Sequence, residues 1–425
     1  MESILFFAFL VFSVIGLPIA VVLGLSALTG LLFGADIPLT VIAQRMFTAS
    51  SSFPLMAIPF FMIAGALMEG GGISRRLINL ANTMMGATTG GLALVAILTC
   101  MFFAAISGSG PATVAAIGSI MIPAMVRAGY GVAFSSAIMA AAGSIGIIIP
   151  PSIPMVTYGV VGGVSIGAMF LGGFVPGIIY GGALMVVAYV ISKQRGYKGT
   201  GVFSFKALVI ATKDALWALL MPIIILGGIY GGIFTPTEAA CVAVFYGLIV
   251  GLFIYRELNI ADLSKLLVNS AVSTSIVMLI ISTASVFGWI LAAEQIPDRV
   301  AQAFIDFSTN PTVILLLINV LLLIAGCFME TNAIIIILAP IFLPLVSQMG
   351  VDPIHFGVIM IVNTAIGQVT PPLGVNLFVA CGVSKITLES ISKAVIPLIF
   401  AMIIALMVIT YVPISVMFLP DLLMK

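Results

Sequence analysis

Apolar runs of membrane length alternate along this chain with runs that stop where a simple membrane helix has no reason to stop. Ile4–Phe33, Phe53–Met68, Ala168–Ser192, Ala215–Phe234, Ala239–Tyr255, Asn269–Ala293 and Ala394–Phe418 read as crossings, given the twenty or so apolar residues a bilayer requires. Leu92–Ala105 and Pro111–Val126 are each too short to cross and are separated by Ser107-Gly108-Ser109-Gly110, so they predict a re-entrant hairpin at 90–127. Val132–Ser165 is interrupted at Gly143-Ser144 and Pro150-Pro151. A double proline removes two helix donors and crowds the preceding turn, which predicts a broken helix over 131–165. Thr312–Leu345 stops at Gly326 and at Glu330-Thr331-Asn332, and Pro353–Ser384 at Gly367-Gln368-Val369-Thr370-Pro371-Pro372. These predict a second hairpin at 311–349 and a second broken helix at 353–385. Asp36–Ser52 and Ile296–Phe307 have the spacing of helices lying in the interface. A short amphipathic piece carries Asp262 and Lys265, and Gly199–Asp214 reads as a polar, flexible linker.

The interrupted stretches are copies of each other. Moving back by 221 residues carries Pro344 onto Pro123, Gly350 onto Gly129, Gly367 onto Gly146 and Pro371-Pro372 onto Pro150-Pro151. Tracing the crossings from a cytoplasmic amino terminus puts twelve of the fifteen Lys and Arg on one side. Arg45, Arg299 and Lys425 remain on the other, with the carboxyl terminus outside, a positive-inside bias. The same trace makes the two hairpins enter from opposite faces, which is an inverted repeat. The organisation is therefore 1–198 as repeat one, 199–234 as linker and connecting helix, and 235–425 as repeat two.

Composition agrees with this pattern and narrows the class. With 62% hydrophobic and 7% charged residues and a mean hydropathy of +1.34, the chain is an all-α polytopic membrane protein. No cleavable signal pattern is evident, so the first run is expected to remain a membrane helix. The formal charge of +1 leaves no nucleic-acid footprint. Cys100, Cys241, Cys327 and Cys381 have no metal or disulfide spacing and are expected as buried thiols. There is one histidine, no HExxH, no GxSxG and no phosphate loop, so neither an enzyme nor an ATP-driven pump is indicated.

Broken helices near the midplane point positive ends at anions and free carbonyls at cations. Two candidate sodium sites follow: Ser107, Ser109, Gly143 and Ser144 in the first copy, and Gly326, Thr331, Asn332, Gly367 and Thr370 in the second. The candidate substrate surface is Ser107, Gly108, Ser109 and Gly110 with Pro150 and Pro151, facing Thr331 and Asn332 with Pro371 and Pro372. Ile149-Pro150 and Thr370-Pro371 are taken to open the facing half-helices. A serine or threonine hydroxyl alone more often bonds back to its own helix. Glu330, the only acid at a tip, could ligate a cation, titrate as a proton site or cap the next helix, and capping or an indirect cation role is the favoured reading. Glu238 reads as a partner of a helix start, and His355 as a structural residue at a membrane edge. No organic cofactor is expected.

The strings SGSGPATVAAIGSIMIPAM (Ser107–Met125), IIPPSIPMVTYG (Ile148–Gly159), TPTEAA (Thr235–Ala240) and GVDPIHFGVIMIVNTAIGQVTPPLGVNLFVACG (Gly350–Gly382) resemble the large membrane subunit of tripartite ATP-independent periplasmic (TRAP) transporters. The resemblance covers nearly the whole chain. It implies a sodium-coupled importer of carboxylate-bearing organic acids in the bacterial inner membrane. It implies two partners, a small membrane subunit and a periplasmic substrate-binding protein, and an elevator fold in which a transport domain moves against a scaffold. Among the family's substrates, sialic acid is the favoured expectation here, with C4-dicarboxylates and other sugar acids as alternatives. A stand-alone sodium- or proton-coupled anion carrier of related fold, or a channel, is the competing reading. No arginine lies at either tip or break, so helix ends, hydroxyls and amides would have to hold the anion.

Overall fold

A computed structural model describes residues 1–34, 37–199 and 203–424. Asp36, residues 200–202 of the expected linker and Lys425 fall outside them. All regular structure among the described residues is helical, and eight helices are long and apolar enough to cross a membrane.

The first apolar run is not one span. It is two helices, α1 (Glu2–Val14) and α2 (Ile19–Gly34), folded against each other. Gly16 takes a φ of 84° and Pro18 follows, so Gly16-Leu17-Pro18 turns the chain where hydropathy alone shows no interruption. A Cβ on Gly34 would sit 2.8 Å from Met1 Cα, so the chain returns to where it began. The terminal ammonium lies 3.7 Å from Glu294, and Glu2 lies 2.6 Å from Arg299. The amino terminus therefore shares a face with Glu294 and Arg299, where a single first span would have placed it opposite.

Next come α3 (Thr40–Ser50), α4 (Ala57–Gly70) and the amphipathic α5 (Ile73–Met85). The first hairpin is α6 (Gly91–Ser107) and α7 (Gly110–Arg127), and the first broken helix is α8 (Val132–Gly143), continued by a tight turn to Ile147, and α9 (Ile153–Gly162). The long α10 (Ile166–Gln194) closes the first half. The second half opens with α11 (Phe205–Tyr230), α12 (Pro236–Ile249) and α13 (Ile260–Ala293), then α14 (Ile296–Phe307). It continues with hairpin α15 (Pro311–Gly326) and α16 (Thr331–Gln348), broken helix α17 (Pro353–Gly367) and α18 (Val375–Ser384), and ends in α19 (Leu388–Tyr411) and α20 (Ile414–Leu423). The same shift of 221 residues carries Gly110–Arg127 onto Thr331–Gln348 and Ile153–Gly162 to within one residue of Val375–Ser384.

Three boundaries differ from expectation for local reasons. The Ser204 side chain accepts from Ala207 N and starts α11 at Phe205, so most of the supposed linker is helix. Asp262 and Lys265 belong to the first turns of α13, whose 34 residues run unbroken. Pro413 ends the last span after Tyr411 and begins α20. At Thr235 a full capping box forms with Glu238, so that acid does serve a helix start. His355 is buried with Nε2 2.9 Å from the Ile409 carbonyl, a structural tie between α17 and α19. Cys100 is buried, but Cys241, Cys327 and Cys381 are only partly so.

Two bodies of helices emerge from the packing. In one, α4 packs on α12 and α13, and α2 packs on α13. The other gathers the hairpins and broken helices against α10 and α19. They meet where α4 touches α6 and α13 touches α16, so the hairpin tips lie at the junction. A Cβ on Gly65 of α4 would stand 3.4 Å from Ser107 Cα.

Candidate functional site

Both tips and both breaks converge on one cavity of about 110 Å3. Its lining contains the first residues of four helices: Gly110 and Pro111 of α7, Ile153 and Pro154 of α9, Thr331 and Asn332 of α16, and Val375 of α18. It also contains Gly108, Ile147, Gly326 and Gln368, which lie at the ends of the preceding helices. Met62 of α4 and Val277 of α13 close it from the other body. Each helix start carries a partial positive charge and unpaired N–H groups, so four of them facing one space favour an anion.

The four starts are not equivalent. Ser152 caps α9 by accepting from Met155 N, and Glu330 caps α16 by accepting from Asn332 N at 2.8 Å and Ala333 N at 3.3 Å. The starts of α7 and α18 have no side-chain cap. At α18 Asn376 N already donates to Gln368 O at 2.9 Å and Leu377 N to Gly374 O at 2.7 Å, and at α7 Pro111 has no N–H, so among the groups that remain for a ligand are Gly110 N and Val375 N. Glu330 is the only charged residue of the lining, and Asn332 Nδ2 donates to its second oxygen at 2.9 Å. The carboxylate thus acts as a cap. Glu330→Ala should lower the melting temperature of the purified complex, a loss of about 1–2 kcal/mol from the missing cap, whereas Glu330→Gln should retain most of the stability. Equal melting of Ala variant and parent would remove the capping role.

The candidate residues sort by position. Gly108, Ser109, Gly110, Gly326, Thr331 and Asn332 line the cavity. Pro150, Pro151, Pro371 and Pro372 do not, because the half-helices open later, at Ile153 and Val375. The proline pairs occupy the connecting loops, and the helical residues behind them form the wall. Ser107 lies behind the tip, its Oγ 2.8 Å from Thr113 Oγ1, which itself donates to Ser109 O at 2.8 Å. Ser144 turns away, with Oγ 2.7 Å from Ala141 O and 2.8 Å from Tyr180 Oη. Thr370 likewise donates to its own helix at Ile366 O, 2.8 Å. Gly143 packs against the start of α7, where a Cβ would fall 3.3 Å from Gly110 O. Gly367 presses directly on Gly326, backbone to backbone. The first tip therefore gathers hard oxygens from Ser107, Ser109 and Thr113, while the second gathers Thr331 and the buried carbonyl ends of α15 and α17 at Gly326 and Gly367. Among the described residues no cluster of three His, Cys, Asp or Glu exists, and apart from Glu330 the oxygens of the lining are neutral.

Sequence reasoning missed the groups that tie the two halves together. Thr157 of α9 donates to Asn332 Oδ1 at 2.9 Å. Gln368 Nε2 donates to Thr331 Oγ1 at 3.1 Å, while its Oε1 lies against Gly110 and has no donor. Asn376 donates to Ala140 O at 3.2 Å, and its Oδ1 is also buried, unpartnered and directed at Gly110. Two orphan oxygens beside the uncapped start of α7 form an acceptor pair awaiting a hydroxyl or a cation. Nothing in the spacing of Gln368 and Asn376 marked them, since only folding brings them to Gly110.

Residues 6–414 match the family described as "Tripartite ATP-independent periplasmic transporter, DctM component". The chain belongs to this family. It is the large membrane subunit of a TRAP transporter, a multi-pass membrane permease. The chain is 55% identical over 98% of its length to the isethionate TRAP transporter permease protein DctMQ of Oleidesulfovibrio alaskensis, of which it covers 66%. It is 46% identical over 94% of its length to the C4-dicarboxylate large permease DctM of Pseudomonas aeruginosa, covering 93% of that protein. The sialic acid large permease SiaM of Vibrio cholerae is 39% identical over 96% of the chain, with 95% of that protein covered. The isethionate and C4-dicarboxylate relatives thus stand nearer than this sialic acid relative. In fold, the subunit is similar to the YdaH transporter of Alcanivorax borkumensis, with a TM-score of 0.64 at 17% identity over 96% of this chain and 97% of that one.

Proposed function

We propose that this subunit imports a small organic acid of two to four carbons, of the isethionate or C4-dicarboxylate kind, across the bacterial inner membrane, driven by sodium. The observation that carries this reading is the cavity of about 110 Å3 at which four helix starts meet. At about 30 Å3 per water, that space holds a handful of waters. A two- to four-carbon acid matches that space more closely than a nine-carbon sugar acid, and the isethionate and C4-dicarboxylate relatives are more identical to this chain than the sialic acid one. The anionic group takes the uncapped starts of α7 and α18, and a substrate hydroxyl meets Gln368 Oε1. Sodium takes the hard oxygens around Ser107, Ser109 and Thr113 and, in the other half, around Thr331 and the carbonyl ends at Gly326 and Gly367.

The body containing the hairpins is the transport domain and the body of α2, α4, α12 and α13 the scaffold, the substrate moving with the former in an elevator step. A periplasmic binding protein delivers the acid and a small membrane subunit completes the scaffold. The face of Arg75 is cytoplasmic by the positive-inside bias, so the amino terminus, on the face of Arg299, is periplasmic.

The test is uptake into proteoliposomes holding this chain with its small subunit, using labelled isethionate, succinate and sialic acid. Uptake of the small acids that requires both the binding protein and an inward sodium gradient is the expected result. Uptake without the binding protein would identify a stand-alone carrier, uptake indifferent to ion gradients a facilitator, and sialic acid as the only substrate would overturn the size argument.

A further inference from the structure

A crevice of about 510 Å3, separate from the transport cavity, opens on the Arg75 face between α5 and the base of the first hairpin. Leu92, Val95, Ile120 and Met121 give it an apolar wall, and Arg75, Asn79 and Asn82 follow one another along one face of α5 to form a polar rim. Arg76 is already engaged: it lies 2.7 Å from Glu257 and 3.4 Å from Asp214, and its guanidinium stands 3.7 Å from the centre of the Tyr255 ring. Arg75 is exposed and, among the described residues, has no carboxylate within 4.0 Å. Asn82 Oδ1 is buried without a partner. Asp214, half-exposed at 51%, keeps acceptor capacity facing the same space.

We propose that this crevice binds a zwitterionic aminophospholipid of the adjoining leaflet, with its phosphodiester on Arg75, its ammonium on Asp214 and an acyl chain along Ile120 and Met121. Three features select that occupant. The two arginines and two carboxylates of the lining balance, so a net-neutral headgroup with separated charges is matched better than a purely anionic one. A free guanidinium is a fork suited to phosphate. The apolar wall continues from the rim into the membrane-facing side of the hairpin, where Ile120 is 39% exposed, and this serves an acyl chain but not a soluble phosphate ester. The lipid would lie between α5 and the first hairpin.

The experiment uses the complex with its small subunit in nanodiscs carrying phosphatidylethanolamine with a photoreactive group in one acyl chain, crosslinks being mapped by peptide mass spectrometry. Crosslinks should fall on Leu77–Asn82 and Ile120–Ala124 and drop about tenfold in Arg75→Ala, the worth of one charge-assisted contact. Arg75→Lys should restore part of the labelling, and Ala124→Phe should block it with Arg75 intact. Phosphatidylglycerol of the same chain should label less, and Asp214→Asn should narrow that difference. Labelling confined to other helices, or labelling at this crevice unchanged in both Arg75→Ala and Ala124→Phe, overturns the proposal. Equal labelling by both lipids overturns the zwitterionic headgroup, and displacement by glycerol phosphate alone would reveal a soluble phosphate ligand instead.

Discussion

Gly367→Ala should reduce the initial rate of uptake about ten- to hundredfold, and Gly146→Ala, its counterpart in the other half, should do the same. A Cβ on Gly367 would lie 2.5 Å from Gly326 Cα, 2.6 Å from its carbonyl carbon and 2.7 Å from its oxygen. On Gly146 it would lie 2.6 Å from Ser109 O and 2.7 Å from Thr113 Oγ1. The obstacles are backbone, or a hydroxyl held by two partners, so no flexible side chain can swing aside. The hairpin tip must then retreat from the broken helix, opening the seam where sodium and substrate are proposed to sit. An overpacking cost of about 1–3 kcal/mol corresponds to roughly ten- to hundredfold in a binding equilibrium. Gly182→Ala and Gly227→Ala, where a Cβ would meet nothing within 4 Å, are the controls and should transport like the parent. Rates would be measured in proteoliposomes with both partners, normalised to inserted protein. Parent-like uptake by Gly367→Ala would mean that the close approach of Gly326 and Gly367 has no part in the cycle.

These glycines also show why part of the architecture could be read from the chain. Glycine, proline and short polar residues are local signals, and at membrane depth they interrupt a long apolar background, so the hairpins, the breaks and their repetition stood out. The turn between α1 and α2 did not, because Gly16 and Pro18 are flanked by Ile15, Leu17 and Ile19 and hydropathy never falls. That one hidden turn reversed the side of the amino terminus relative to Arg299. Within the site, the run read from Pro111 begins one residue after the start of α7 at Gly110, and the polar knot Glu330-Thr331-Asn332 contains the start of α16 at Thr331. Sequence proximity drew the proline pairs into the wall, although the cavity faces the turns that follow them. Thr113, Thr157, Gln368 and Asn376 were not selected because their role depends on contacts between elements, as with Thr157 and Asn332, 175 residues apart. A repeat shift can locate symmetric landmarks but not such pairs. Neither Gln368 nor Asn376 has an amide in its counterpart, which is Ile147 for the first and Met155 for the second. The asymmetry between the halves is where one substrate, as opposed to two equivalent ones, becomes chemically plausible.

Gln368 is the side chain on which that asymmetry converges, and Gln368→Ala should cut uptake at low substrate about ten- to hundredfold without disturbing assembly with the small subunit. Its amide reaches Thr331 at the second tip while its free oxygen rests against Gly110 at the first. Removing it separates the two tips and deprives a substrate hydroxyl or cation of its acceptor, and an unmet buried partner costs about 1–3 kcal/mol. Gln368→Glu separates shape from charge. It keeps the volume and an acceptor oxygen but adds a second carboxylate to a lining whose sole charge is Glu330. Repulsion of an incoming anion then opposes the attraction of the uncapped starts of α7 and α18, so the charged variant should transport less than Gln368→Ala, with the greatest loss for the dianionic succinate. The measurement is concentration-dependent uptake for isethionate and succinate, alongside melting temperature and co-purification of the small subunit. If Gln368→Glu carried succinate as well as the parent, the anion would not pass this oxygen. The cavity at the four helix starts would then be a packing junction, and the binding site would have to be sought elsewhere in the subunit.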